Sequence, residues 1–419
     1  MPPGLDLDEA VRRAHTAYAA ARPRSRALHE RALGVLAGGN TRSVLDFPPF
    51  PFRVARAHGA ELVDVDGHAY VDFCGNYTAG LLGHAPAAVR EAVAEALDGG
   101  WGVGAMHPRE IELAELIGAR FPAMARVRFT NSGTEANLMA VATALHHTGR
   151  TGVGVFDGGY HGGVLSFGHG PSSVTVPHRF VVAPFDDPAG LDTLFADPDL
   201  GCVLVEAVQG SGGCRVASPE WLRELRRRCT TSGAVLVLDE VMTSRLSPGG
   251  AQLRYGVTPD LTTLGKYLGG GMPFGAFGGR EEIMRHFDRS AGGRLAHAGT
   301  FNNNAVSMAA AIATLRHALD DEALEAVNAR GDRLRTALSA AFAAAGAPMH
   351  VTGLGSMLTV HAADDRLAEL YFHAMLAGGH HLARRGFVAL SFAVSDAHVD
   401  GLVTATRRWA DGLSAAGRG

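Results

Sequence analysis

Val235-Leu236-Val237-Leu238-Asp239-Glu240-Val241 is a short apolar run that ends abruptly on an acid. Four leucines and valines without a polar interruption have the length and composition of a strand covered on both faces. Burying an unpaired carboxylate costs several kcal/mol, so Asp239 needs a strong partner. A helix N-cap or an arginine would serve; so would a protonated ring nitrogen.

Runs of the same kind lie on either side, at 127–129, 153–156, 180–182, 202–205 and 261–264. Each is β-branched or leucine-rich and separated from the next by helical spacing. This alternation predicts an α/β fold, a mostly parallel sheet sandwiched between helices. In such sheets ligands bind beyond the carboxyl ends of the strands, and the residues just after each run become the candidates.

After the run at 261–264 comes Gly265-Lys266-Tyr267-Leu268-Gly269-Gly270-Gly271, and Lys266 is the only lysine among 38 basic residues. Arginine holds charge but stays protonated and cannot form an imine. The retained amine therefore points to a nucleophile that attacks a carbonyl, although a chance survivor of biased codon usage would look the same.

Three further stretches follow other strands. Asn131-Ser132-Gly133-Thr134-Glu135-Ala136-Asn137 turns from a strand into a long helix. Its small residues leave backbone N–H groups open to an anion such as phosphate, and a plain N-cap accounts for Ser132 as well. Asp157-Gly158-Gly159-Tyr160-His161-Gly162-Gly163 presents an aromatic ring between glycines, able to stack on a flat heterocycle or simply to sit half-buried in a loop. Taken together, a phosphate cradle, a stacking ring, a carboxylate for a ring nitrogen and a lysine for an aldehyde describe one ligand, pyridoxal 5′-phosphate.

The rest of the chain sets the context. Residues 10–18 have helical spacing, and Asp66-Gly67 between Leu62-Val63 and Tyr70-Val71 predicts a hairpin. Beyond 306, alanine-rich helices at 308–319 and 323–345, a strand at 356–360, another helix and a strand at 387–391 predict a smaller α+β domain. The expected divisions are an N-terminal segment 1–74 belonging to the small domain, a large ligand-binding domain 75–305 and a C-terminal small domain 306–419. A net charge of −4 offers no field for nucleic acid or an anionic membrane. No run is long enough to span a bilayer, and no signal-peptide pattern opens the chain. Four scattered cysteines without a CxxC pair predict reduced thiols and no metal framework. The cytoplasm is the expected compartment.

Asn131 to Ala136, Tyr160-His161-Gly162, Asp239-Glu240-Val241 and Gly265-Lys266 occur in the order and spacing of class III pyridoxal-phosphate aminotransferases, and the chain resembles that family from about 36 to 395. The resemblance implies fold type I with a seven-stranded sheet. It implies that Lys266 is the Schiff-base lysine and Asp239 the partner of the pyridine nitrogen. Ser132, Gly133 and Thr134 then match the phosphate turn, Tyr160 the stacking ring, and Val241 the support beneath it. Gln209 matches a residue near the ring hydroxyl. Thr300 resembles a threonine that reaches the phosphate across a subunit interface, which implies a homodimer with shared active sites.

Within the family, Gly38-Gly39-Asn40-Thr41-Arg42 and Thr300-Phe301-Asn302-Asn303-Asn304 are similar to the branch of glutamate-1-semialdehyde aminomutase, and more closely to aminotransferases acting on β-phenylalanine. In that group the matching arginine, here Arg42, binds the substrate carboxylate. Many class III enzymes carry a glutamate where this chain has Ser211, so recognition of both an amino donor and a 2-oxo acid such as 2-oxoglutarate must be arranged differently. Arg385 is the candidate second carboxylate contact, and Tyr77 a further substrate-binding residue. The resemblance implies ping-pong transfer of an amino group; an intramolecular aminomutase is the alternative.

Overall fold

The computed structural model describes residues 6–168 and 170–416. The chain forms two compact units, one of Met1–Ala85 with Val327–Gly419 and the other of Pro86–Ala326. These divisions fall later than the expected 74 and 305. Residues 75–85 hydrogen bond back into the first unit, through paired bonds between Gly59 and His84 and from Phe392 N to Leu81 O. The helix Ala305–Ala313 packs on the helices Ala87–Asp98 and Pro108–Arg120 of the second.

The second unit holds a sheet of seven strands: β1 Arg126–Thr130, β2 Gly152–Phe156, β3 Arg179–Ala183, β4 Leu200–Val205, β5 Val235–Asp239, β6 Leu261–Gly265 and β7 Gly275–Gly279. Their order across the sheet is β1-β7-β6-β5-β4-β2-β3. Six run in one direction, and β7 lies antiparallel between β1 and β6. Every residue of β2, β4, β5, β6 and β7 is buried, whereas the edge strands β1 and β3 are partly exposed. Both faces of the central sheet are thus covered, as the uninterrupted apolar runs require. Val153, Cys202, Val237, Leu261 and Phe277 meet Ala140 and Val141 of the helix Gly133–Thr148 in the core beneath the site.

Strand β7 is not among the apolar runs, because it reads Gly-Ala-Phe-Gly-Gly. Its glycines are steric requirements: a Cβ at Gly275 would lie 2.2 Å from Ser132 O, and one at Gly279 2.0 Å from Asp260 O. The wedge strand fits only because its backbone has no side chains at these positions.

In the first unit, the N- and C-terminal parts of the chain share one sheet. The hairpin Glu61–Asp64 with Ala69–Asp72 turns at Asp66-Gly67, and His380–His381 adds to it in parallel. A second sheet joins Met349–Leu354, Met357–Ala362 and Phe387–Ala389. Tyr18, Phe47, Phe50, Leu62, Tyr70 and Phe372 close an aromatic core between these parts.

Candidate active site

The carboxyl ends of β1, β2, β5 and β6 deliver the sequence candidates Ser132, Gly133, Thr134, Tyr160, Asp239, Val241 and Lys266 to one edge of the sheet. Asp239, 4 % exposed, ends β5. Three donors converge on it: Val241 N–H on Oδ1 at 2.9 Å, and Asn137 Nδ2 and His161 Nδ1 on Oδ2, each at 2.8 Å. A charged carboxylate only accepts, so the His161 proton sits on Nδ1. Asn137 also donates to His161 O and accepts from Thr263 Oγ1 on β6. Three donors thus hold the carboxylate in one direction, and Oδ1, with a single partner, keeps a lone pair for a further donor.

His161 and Asn137 were quoted within motifs but assigned no task by the sequence. Asn137 lies one turn into the helix Gly133–Thr148, i+4 from Gly133, which puts it on the face that begins at the helix mouth. His161 adjoins Tyr160. Glu206, just after β4, is a third residue whose part only the fold reveals. Its Oε1 accepts from Tyr160 N–H at 2.9 Å and its Oε2 from Gly210 N–H at 3.2 Å. Burial pushes the Glu206 carboxyl up to about 7; the neighbouring Asp239 adds to the rise, and His161 opposes it.

Ser132 caps the helix Gly133–Thr148 by accepting the Glu135 N–H on its hydroxyl and the Ala136 N–H on its carbonyl. The amides of Gly133 and Thr134 are left at the mouth without a partner among the described residues, where the helix dipole favours an anion. Close packing enforces this shape. A Cβ on Gly133 would lie 2.8 Å from both methyls of Val241, and one on Gly162 would lie 2.3 Å from Thr134 Oγ1. Gly162 has φ +127, a conformation glycine supplies. Val241 is held between Gly133 and Gly265, beneath the mouth.

Lys266 follows β6 with φ +54, in the left-handed region that a side-chain-bearing residue enters at a cost of about 1–3 kcal/mol. It opens a short 3₁₀ turn, Lys266–Gly269, and is partly exposed. Tyr160 is 42 % exposed with its backbone tied to Glu206, leaving the ring accessible at the same edge. These features fit pyridoxal phosphate: an amide-lined anion cradle, an accessible ring, a directed buried carboxylate and a lysine along the carboxyl edge of one sheet.

Two further predicted residues, Gln209 and Thr300, lie on a hairpin and a loop around this group. Gln209 donates from Nε2 to Asp157 O at 2.9 Å and accepts on Oε1 from Arg215, so its amide knits the loop after β2 to the hairpin Val208–Val216. Thr300 is exposed on the loop before the helix Ala305–Ala313. That loop is pinned beside the cradle, since Asn302 Oδ1 accepts from Asn131 Nδ2 at 3.0 Å and Asn302 Nδ2 meets His297.

The remaining candidates gather in the first unit. Tyr77 is buried, hydrogen bonds from its hydroxyl to Val44 O at 3.0 Å and stacks on Phe387 with centroids 5.7 Å apart. The Arg42 and Arg385 guanidinium groups lie 5.8 and 5.3 Å from the same ring centroid. Arg42 donates to Asn76 Oδ1 at 2.8 Å. Asn76, Tyr77 and Thr78 all have positive φ, a strained turn that fixes the ring near both cations.

The family model for aminotransferase class III matches residues 46–176 and 190–408. The chain is 46 % identical over 414 residues to the β-phenylalanine transaminase of Variovorax paradoxus, covering 95 % of each protein. A solved β-phenylalanine aminotransferase from that organism superposes with a TM-score of 0.95 at 45 % identity, covering 98 % of both chains. Glutamate-1-semialdehyde 2,1-aminomutase of Bordetella avium is 39 % identical, covering 91 % of this chain and 96 % of its own. A solved transaminase with pyridoxal phosphate bound is 35 % identical with a TM-score of 0.88, covering 95 % of this chain and 99 % of that one.

Proposed function

The chain belongs to the class III aminotransferases, and on that premise we propose that it moves the amino group of an aromatic β-amino acid, of the β-phenylalanine type, to a 2-oxo acid such as 2-oxoglutarate. It is a pyridoxal-phosphate-dependent transaminase with the fold of that family. The observation that carries the chemistry is Lys266, the one lysine of the chain, set just after β6, the strand paired with the one that ends in Asp239.

When bound, pyridoxal phosphate supplies an aldehyde for the amine and a ring that accepts electrons from the neighbouring carbon. The Gly133 and Thr134 amides would hold the phosphate, and Tyr160 and Val241 would support the ring. Asp239 would keep the proton on the ring nitrogen; His161 and Asn137 hold its carboxylate in place. Lys266 Nζ, once neutral, takes the proton from the substrate carbon that bears nitrogen, a role worth about 10²–10⁴-fold in rate. Arg42 and Arg385 receive carboxylates in turn, with Tyr77 fixing both, and one set of residues thereby serves donor and acceptor in ping-pong order.

The chain acts as a homodimer in this reading. Thr300 and Phe301 are exposed on the pinned loop, and Trp101 and Met106 expose apolar surface on a segment that hydrogen bonds to Asn303 and Asn304. That surface suits a second copy whose Thr300 completes the phosphate site. The buried free cysteines suit a reducing compartment, the cytoplasm.

Transfer of ¹⁵N from labelled β-phenylalanine into added 2-oxoglutarate tests the reaction. Labelled glutamate is expected; an isomerised product with no label in glutamate would instead identify an aminomutase.

A further inference from the structure

We propose that the first unit contains a divalent transition-metal site formed by His15, Glu369 and His373, selective for zinc-like ions. His15 stands on the helix Leu7–Ala21, and Glu369 and His373 are one turn apart on the helix Asp365–Ala377. An i, i+4 pair projects from one helix face, and here that face meets His15 on a helix from the opposite end of the chain.

The ligand atoms are already gathered. Glu369 Oε1 lies 2.9 Å from His15 Nε2 and 3.1 Å from His373 Nε2, and all three atoms fall within 4.8 Å of one another. Among the described residues no other three His, Cys, Asp or Glu side chains are grouped closely enough to share an ion. A tetrahedral zinc ion with bonds near 2.0–2.1 Å holds its ligand atoms about 3.3 Å apart, so small outward shifts of the imidazoles would admit it. Glu369 and His373 are 5 % and 4 % exposed at their side chains and His15 is 23 % exposed, which leaves a solvent-facing position for a water as fourth ligand.

The surroundings suit a metal as well. Arg384 Nε binds Glu369 Oε2, fixing the carboxylate so that Oε1 faces the two imidazoles. The His15 and His373 rings meet edge to face at 5.0 Å, and Tyr18, Phe47 and Phe372 surround His373. Two neutral imidazoles and one carboxylate make a borderline donor set that prefers zinc, nickel or copper over magnesium or calcium. The ion would clamp the N-terminal helix to the helix Asp365–Ala377.

Two imidazole N–H groups sharing one carboxylate oxygen can also stand as a hydrogen-bonded clasp without an ion, and the experiment separates the two. Purified holoenzyme is dialysed against chelator and titrated with cobalt(II), read by visible absorption, and with zinc, read by calorimetry and by metal content after gel filtration. The expected result is one equivalent per chain, the intense visible bands of tetrahedral cobalt and a rise of several degrees in Tm with zinc. His15→Ala, at the most exposed ligand, should keep the fold and bind at least tenfold more weakly without those bands; Glu369→Gln should do the same. Absent stoichiometric binding in wild type, or bands and affinity unchanged in both variants, would overturn the proposal.

Discussion

His161 Nδ1 donates to Asp239 Oδ2 across 2.8 Å, and both residues are almost wholly buried. The hydrogen bond joins the loop after β2 to the end of β5 and sets the direction in which the carboxylate faces. Charge-assisted bonds of this kind contribute about 1.5–3 kcal/mol. His161→Ala should therefore retain the fold but lower kcat about ten- to a hundredfold and shorten cofactor retention; Asp239→Asn should be slower still. Single-turnover kinetics with β-phenylalanine measure both, and wild-type rates would remove Asp239 from the ring nitrogen.

The cradle at the helix mouth depends on the absence of a single carbon. A methyl at Gly133 would meet both Val241 methyls at 2.8 Å, and overpacking of this kind costs about 1–3 kcal/mol. Gly133→Ala should weaken pyridoxal phosphate binding at least tenfold, and Gly133→Ala with Val241→Ala should recover part of that loss. Equilibrium dialysis of the cofactor gives both constants.

Glu206 supplies a pH signature. Its carboxyl is raised from an ordinary 4.5 to about 7 by burial, so the folded apoenzyme holds that proton more tightly than the unfolded chain. The resulting stability is complete below pH 4.5 and is lost as pH rises through 7. Relative to Glu206→Gln, which carries no titrating proton, wild-type Tm should fall between pH 5 and pH 8. A constant difference across that range would contradict the raised value.

Arg42 and Arg385 flank one tyrosine ring at 5.8 and 5.3 Å. Losing a charge-assisted grip on a carboxylate costs about 1.5–3 kcal/mol. Arg42→Ala should raise KM for β-amino acids about ten- to a hundredfold while leaving cofactor affinity unchanged; Arg385→Ala should raise KM for the 2-oxo acid. Unchanged constants would move carboxylate recognition to other residues.

Much of this architecture is legible in the sequence because strands covered by helices are rich in apolar and β-branched residues: six of the seven strands announce themselves that way, even with Arg128 in β1 and Thr262 and Thr263 in β6, and Asp239 and Lys266 stand out after two of them. Strand β7 does not, since its glycines answer to the backbones of β1 and β6 and carry no pattern of their own. The tasks of Asn137, His161 and Glu206 were hidden for a related reason. Their polar atoms are satisfied by residues 24 to 126 positions away or by loop amides, partnerships that only the folded sheet creates. The partners of the Gln209 amide, Asp157 and Arg215, are likewise created by the fold.

Reduction of the holoenzyme with borohydride, followed by digestion and mass spectrometry, probes the nucleophile itself. A pyridoxyl adduct is expected on the peptide that contains Lys266 and nowhere else. An active, reduced sample in which that peptide carries its unmodified mass would contradict it.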